Sequence, residues 1–109
     1  MEITGCSIGG GNIEIHKINQ YDVKFSAHYP TLLIFHEDRT GVISFITHML
    51  QQFHLNIGFM KVERDSRHGE VLTVIELDNP IASALIPMLQ NAPYIQSVIA
   101  IDITEGEQR

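Results

Sequence analysis

Six histidines, one cysteine and thirteen carboxylates are the side chains with which this chain of 109 residues could do chemistry. Metal sites on helices need two ligands three or four residues apart, so that both project from one face. His36, His48, His54 and His68 show no such pairing with another histidine or a carboxylate on a helix, and His16 and His28 stand apart near the N-terminus. Scattered solvated histidines are the expectation, and a histidine-based metal sensor is the weakest reading. Cys6 and Ser7 lie among flexible glycines with no base in view to activate them, which argues against nucleophilic catalysis. The carboxylates show no pair placed for acid-base work. A lone cysteine can neither close an internal disulfide nor hold a zinc or iron-sulfur site that needs three or four thiolates.

One constellation stands out, His36-Glu37-Asp38-Arg39-Thr40-Gly41-Val42. It places polar side chains where a strand turns into a helix, and the first amides of that helix are donors at the positive end of the dipole. A small carboxylate can dock there. An α-amino acid also carries an ammonium, which Asp38 can pair, and a polar side chain, which His36 or Asn56 can bond from neighbouring strand ends. The alternative is a solvated loop in which Asp38 serves only as a cap.

The elements that must position these residues are readable from periodicity. Thr31 to Phe35 is a short apolar run bounded by Pro30 and the polar loop, a buried strand. From Gly41 to Phe53 the apolar residues Val42, Ile46, Met49, Leu50 and Phe53 recur at helical spacing, with Thr40 or Asp38 as the candidate cap. Asn56 to Arg64 and Val71 to Leu77 form a hairpin across a polar stretch containing Gly69. Asn79-Pro80 resembles a cap followed by proline at the first helical position, and Ile81, Leu85, Met88 and Leu89 mark a second helical face. Pro87 conflicts with that helix and predicts a kink or an early break. The segment Gln96 to Ile103 is the last strand, and Thr104 to Arg109 is a polar tail.

The order is β-α-β-β-α-β, the α+β ferredoxin-like arrangement with two helices on one face of a four-stranded antiparallel sheet. Its strands are apolar at both parities. Thr73, Ile75 and Leu77 suit the helix side, while Leu72 and Val74 point the other way, and Phe59 stands opposite Met60 and Val62. A solvated face does not read like this. The face left open by the helices, or a sheet edge, is therefore expected to be covered by a second copy of the chain, by the N-terminal strands or by another subunit.

Residues 1–28 read as a separate lead-in, residues 29–103 as the domain and residues 104–109 as the tail. Within the lead-in, Thr4 to Gly11 is glycine-rich and reads as a turn or an extended segment, and alternation from Asn12 to Ile18 and from Tyr21 to Phe25 fits a short hairpin or a pair of edge strands. Three consecutive glycines suggest a phosphate cradle, but the lysine and hydroxyl of a P-loop are missing.

Composition narrows the function. A formal charge of −6 repels a phosphate backbone, so nucleic acid is not an expected partner. No run reaches the roughly 18 apolar residues of a membrane span, and no secretory signal is visible, so a soluble protein of the reducing cytoplasm is expected.

With these residues in view, the stretch from Tyr29 to Ile101 resembles an ACT domain, a ferredoxin-like module that binds small ligands, usually amino acids, and regulates the enzyme to which it is fused. The lead-in Gly5-Cys6-Ser7-Ile8-Gly9-Gly10-Gly11-Asn12-Ile13-Glu14-Ile15 resembles the segment that joins the catalytic part to the ACT domain in the β subunit of bacterial iron-sulfur L-serine dehydratases. The resemblance implies the regulatory end of an enzyme that converts L-serine to pyruvate and ammonia, itself non-catalytic. It implies a [4Fe-4S] cluster held by the α subunit and no cofactor here. A C-terminal fragment, with Met1 an introduced or alternative start, is the corresponding expectation. Serine-binding ACT domains are similar at His36 and at Asn56, and bind serine at a dimer interface, which implies a homodimer with His36, Asp38, Thr40, Gly41, Val42 and Asn56 around the ligand. Asp38 stands where that family has an asparagine, and Thr40 where a proline is usual. The competing expectation is an assembly module that holds subunits together and binds nothing.

Overall fold

The computed structural model describes the backbone of residues 3–8, 12–18 and 21–26 and, with side chains, residues 29–65 and 69–101. The central sheet has four antiparallel strands, β4 (Thr31–Glu37), β5 (Ile57–Asp65), β6 (Glu70–Leu77) and β7 (Ile95–Ile101), in the order β5-β6-β4-β7. Two helices connect them, α1 (Val42–Gln52) and α2 (Leu85–Gln90). This is the expected βαββαβ order. Ahead of it β1 (Ile3–Ile8), β2 (Asn12–Ile18) and β3 (Tyr21–Ser26) form a separate antiparallel sheet in sequence order. The lead-in thus has three strands instead of two, because the glycine-rich opening pairs with β2 from Ile3 to Ile8. The turn or extended segment expected at the glycines 9–11, and the end of the last strand and the tail expected after Ile101, lie outside the described residues.

Strand parity sorts the core into two layers. Leu32, Ile34, Ile75, Leu77 and Val98 meet Val42, Ile46, Met49 and Leu50 of α1 and Leu85 and Leu89 of α2. On the opposite face Leu33, Phe35, Leu72 and Val74 form a second buried cluster with Ile99 and Ile101 packed against it. None of these four exceeds 5% exposure, so the face expected to be open is closed within one chain. Of the expected covers, the N-terminal strands are the one present here, and β3 lies against β5. The large apolar side chains left in solvent on the sheet are Phe59, Met60 and Val62 of the edge strand β5.

Both helices depart from the expected caps. Gly41 is the N-cap of α1 with φ of 92° and no side-chain cap bond, so neither Thr40 nor Asp38 caps it. The chain needs a left-handed residue to turn from the loop into the helix, and only glycine adopts that conformation without a Cβ penalty. At the other end His54, with φ of 56°, takes the left-handed position that closes α1. Its amide bonds the Gln51 carbonyl and the Leu55 amide bonds that of Leu50, the paired bonds of a Schellman motif. The second helix starts later than Asn79-Pro80 suggests. Beginning at Leu85, it puts Pro87 in the first turn, where a missing amide costs no intrahelical bond, and the conflict disappears without a kink. Met88, expected on the buried face, is 49% exposed as a result.

Candidate functional site

The strand that carries His36 ends in a tightly bonded turn. The Glu37 amide donates to the Tyr94 carbonyl at 2.9 Å, and its own carbonyl accepts the Arg39 amide at 2.9 Å. The Asp38 amide donates to the Gly69 carbonyl at 2.9 Å. The Arg39 guanidinium stacks on the Tyr94 ring, 4.5 Å from its centroid, and pairs with Glu37 at 3.1 Å. Asp38 faces Arg64 at 3.6 Å in an exposed pair. Thr40, Gly41 and Val42 then line a concavity of about 250 Å³ whose other walls are Phe45, Ala92, Pro93 and Tyr94. Thr40 and Gly41 are exposed and Val42 is buried.

His36 sits beneath this loop and is 2% exposed. Its Nδ1 lies 2.9 Å from the Glu37 carbonyl and its Nε2 2.8 Å from Thr73 Oγ1. Burial holds its pKa below the ordinary value of 6.5, against the opposing pull of the Glu37 carbonyl bond and the Asp38 carboxylate. The ring is therefore neutral near pH 7. A carbonyl can only accept, so Nδ1 carries the proton, and Nε2 accepts from the Thr73 hydroxyl. Both ring nitrogens are engaged inside the chain.

Asn56 lies elsewhere. It precedes β5, whose Ile57 pairs with Leu77, whereas His36 lies at the end of the sheet where Glu37 pairs with Glu70 and Glu70 with Asp65. The two are at opposite ends of the sheet and of α1. Its 11 residues span roughly 16 Å. Asn56 is exposed; its side-chain amide donates to Asp78 Oδ2, and its backbone amide donates to Asn79 Oδ1 at 3.2 Å. Asn79, expected to cap α2, instead holds the entrance to β5. Asn56 lines a second concavity, about 420 Å³, with Thr47, Leu50, Gln51, His54, Leu55 and Ile57. The structure thus gathers Asp38, Thr40, Gly41 and Val42 over His36 and sets Asn56 apart from them.

Two residues of the loop's surroundings escaped the sequence reading. Thr73 was legible only as the one hydroxyl in the apolar run Val71 to Ile75. Tyr94 follows the turn Asn91-Ala92-Pro93 and adopts φ of 69°, which periodicity cannot signal.

No protein-family model matches the chain. A solved structure, the ACT domain of the GTP pyrophosphokinase of Chlorobium tepidum, superimposes with a TM-score of 0.54 over 66% of this chain and 96% of that one, at 17% identity. The chain therefore carries an ACT-type βαββαβ domain. By sequence it is 36% identical over 93% of its length to the probable L-serine dehydratase β chain of Bacillus subtilis, and 30% identical over 76% to the L-serine dehydratase β chain of Peptoniphilus asaccharolyticus. It is also 34% identical over 82% of its length to the D-3-phosphoglycerate dehydrogenase of Bacillus subtilis. The chain is a homologue of the L-serine dehydratase β chains and of the ACT regions of those dehydrogenases, and it spans 46% and 37% of the two β chains. The residues present do not fit an iron-sulfur cluster: Cys6 is the single thiol, and no group of three potential ligands converges among the described residues. No helix is long and apolar enough to cross a membrane.

Proposed function

We propose that the chain is the regulatory, non-catalytic ACT part of an L-serine dehydratase, and that two copies share a site for a small α-amino acid, L-serine first. The carrying observation is the separation of the two candidate groups. Asp38, Thr40, Gly41 and Val42 stand at one end of α1 and Asn56 at the other, too far apart for one amino acid to touch both within a chain. Antiparallel association along β5 sets the Asn56 end of one copy beside the Asp65 end of its partner, and two-fold symmetry repeats the contact. The apolar side chains exposed on β5, each about 40%, support that edge as the interface.

In the shared site the ligand carboxylate meets the uncapped first turn of α1 beside Gly41, and Asp38 exchanges Arg64 for the ligand ammonium. Thr40 and the partner's Asn56 bond the hydroxyl, with His36 behind them. Conversion of L-serine to pyruvate and ammonia, and the [4Fe-4S] cluster for it, belong to the catalytic parts of a cytoplasmic assembly that includes an α chain.

Titration calorimetry with L-serine tests the reading. Saturable heat is expected from the chain and none from Asn56→Ala or Asp38→Ala alone. An equimolar mixture of these two variants should regain binding at about one quarter of the wild-type stoichiometry, because random pairing makes half of the dimers mixed and each mixed dimer holds one of its two sites intact. Failure of the mixture to bind would reject sharing. The exposed β5 edge also favours a second reading, an assembly module, and a dimer by light scattering that gives no heat with any small amino acid at millimolar concentration would establish that one instead.

A further inference from the structure

The ring of His36 is arranged as a strut. It is buried on the helix side of the sheet, one position diagonal to Thr73, which pairs with Ile34 in the centre of β6 and is itself 0% exposed. The Glu37 carbonyl accepts two donors, His36 Nδ1 from below at 2.9 Å and the Arg39 amide from above at 2.9 Å. That carbonyl is the last group of β4 before the loop turns away. The direction of the loop toward Gly41 therefore depends on a donor that is present only in one imidazole tautomer.

The Glu37 carbonyl selects that tautomer, because it can only accept, and Thr73 completes it: a hydroxyl 2.8 Å from Nε2 donates to the remaining lone pair and anchors the ring on β6. Without the hydroxyl, Nε2 would be a buried acceptor without a donor, and the ring would lose its anchor on β6. Valine matches threonine in shape and lacks only the donor, so one substitution isolates the effect.

We propose that Thr73 and His36 are positioning residues for the ligand loop, the Thr73 hydroxyl anchoring the His36 ring on β6 so that Nδ1–H holds the Glu37 carbonyl and sets the loop for its ligand. The link to a ligand rests on the amino-acid-binding reading; the relay itself does not. Its consequence is that a buried threonine in the middle of a strand, out of reach of any bound amino acid, controls affinity.

Nitrogen NMR of the 15N-labelled chain without ligand, together with L-serine titration, tests this on the wild type, Thr73→Ser and Thr73→Val. Wild type and Thr73→Ser should show a single His36 tautomer protonated at Nδ1, and a slowly exchanging Arg39 amide. Thr73→Val should keep the Nδ1 tautomer but show faster Arg39 exchange and an L-serine Kd about tenfold higher, the loss of one buried hydrogen bond. Thr73→Ser should bind within about twofold of wild type, because it keeps the donor. A wild-type ring protonated at Nε2 overturns the proposal without any variant. So does a Thr73→Val chain with unchanged Arg39 exchange. If the wild type binds no amino acid, the sensing reading falls, and the tautomer and exchange data still decide whether the relay exists.

Discussion

The two ends of α1 are built on opposite principles. At the His36 end both ring nitrogens and the Glu37 and Asp38 amides are satisfied by the chain itself, through Thr73, the Glu37 carbonyl, Tyr94 and Gly69. At the Asn56 end the polar groups are exposed and bond only to their neighbours Asp78 and Asn79. One end is preorganised and the other is adaptable. A small ligand binds tightly when rigid groups set its orientation and mobile ones close over it. The contrast suits a site that draws its frame from one copy and its closing contact from another.

Mutations at the two ends should therefore differ most in what they do to stability. His36→Ala removes the strut, leaves the Thr73 hydroxyl and one bond of the Glu37 carbonyl unmet, and opens a cavity. Urea unfolding should register a loss of about 3 kcal/mol. A loss below about 1 kcal/mol would show that the His36 end is no more rigid than the other.

The same ring makes stability depend on pH. Its folded pKa lies below 6.5, the ordinary value it regains on unfolding, so the unfolded chain binds more protons in the interval between the two. The contribution of neutral His36 is fully present above that interval and falls away as pH drops through it. The midpoint of urea unfolding should fall from pH 8 to pH 5 in the wild type, by more than in His36→Gln. Equal slopes would remove His36 as the cause.

Gly41→Ala forces a Cβ into a left-handed conformation with open space around it, so strain alone is tested, and a loss of about 1–2 kcal/mol is expected. At the opposite terminus His54→Gly relieves the same kind of strain and should raise stability by about 0.5–1 kcal/mol. Thermal unfolding of both variants compares the two ends of one helix directly. Asn56→Ala is the smallest, within about 0.5 kcal/mol by the same measurement, since the side chain is exposed. A large loss there would mean that the Asn56–Asp78 pair holds the fold and is not reserved for a ligand.

Much of this was legible in the chain. The parity of Leu72 and Val74 against Ile75 and Leu77 separated the two faces of β6 correctly, and Val42, Ile46, Met49 and Leu50 marked the buried stripe of α1. Caps were not legible, because Thr40, Asp38 and Asn79 have the right chemistry at a plausible spacing, and the competing left-handed turn at Gly41 and the bond from Asn56 to Asn79 depend on distant elements. The relation of His36 to Asn56 was also out of reach. Both lie at strand ends, but β6 is inserted between β4 and β5, and strand direction sends the two to opposite ends of the sheet.

What the sequence by itself determined was local: the alternation and helical spacing that select strands and helices, the six histidines without a ligand pattern, and a single cysteine that cannot hold a metal cluster. Those follow from residue types and short-range geometry, which do not change with the rest of the fold. Tertiary structure decided which side chains are buried against which. It buried His36 against Thr73, 37 residues away in sequence, and that burial lowers the imidazole pKa and leaves the ring neutral.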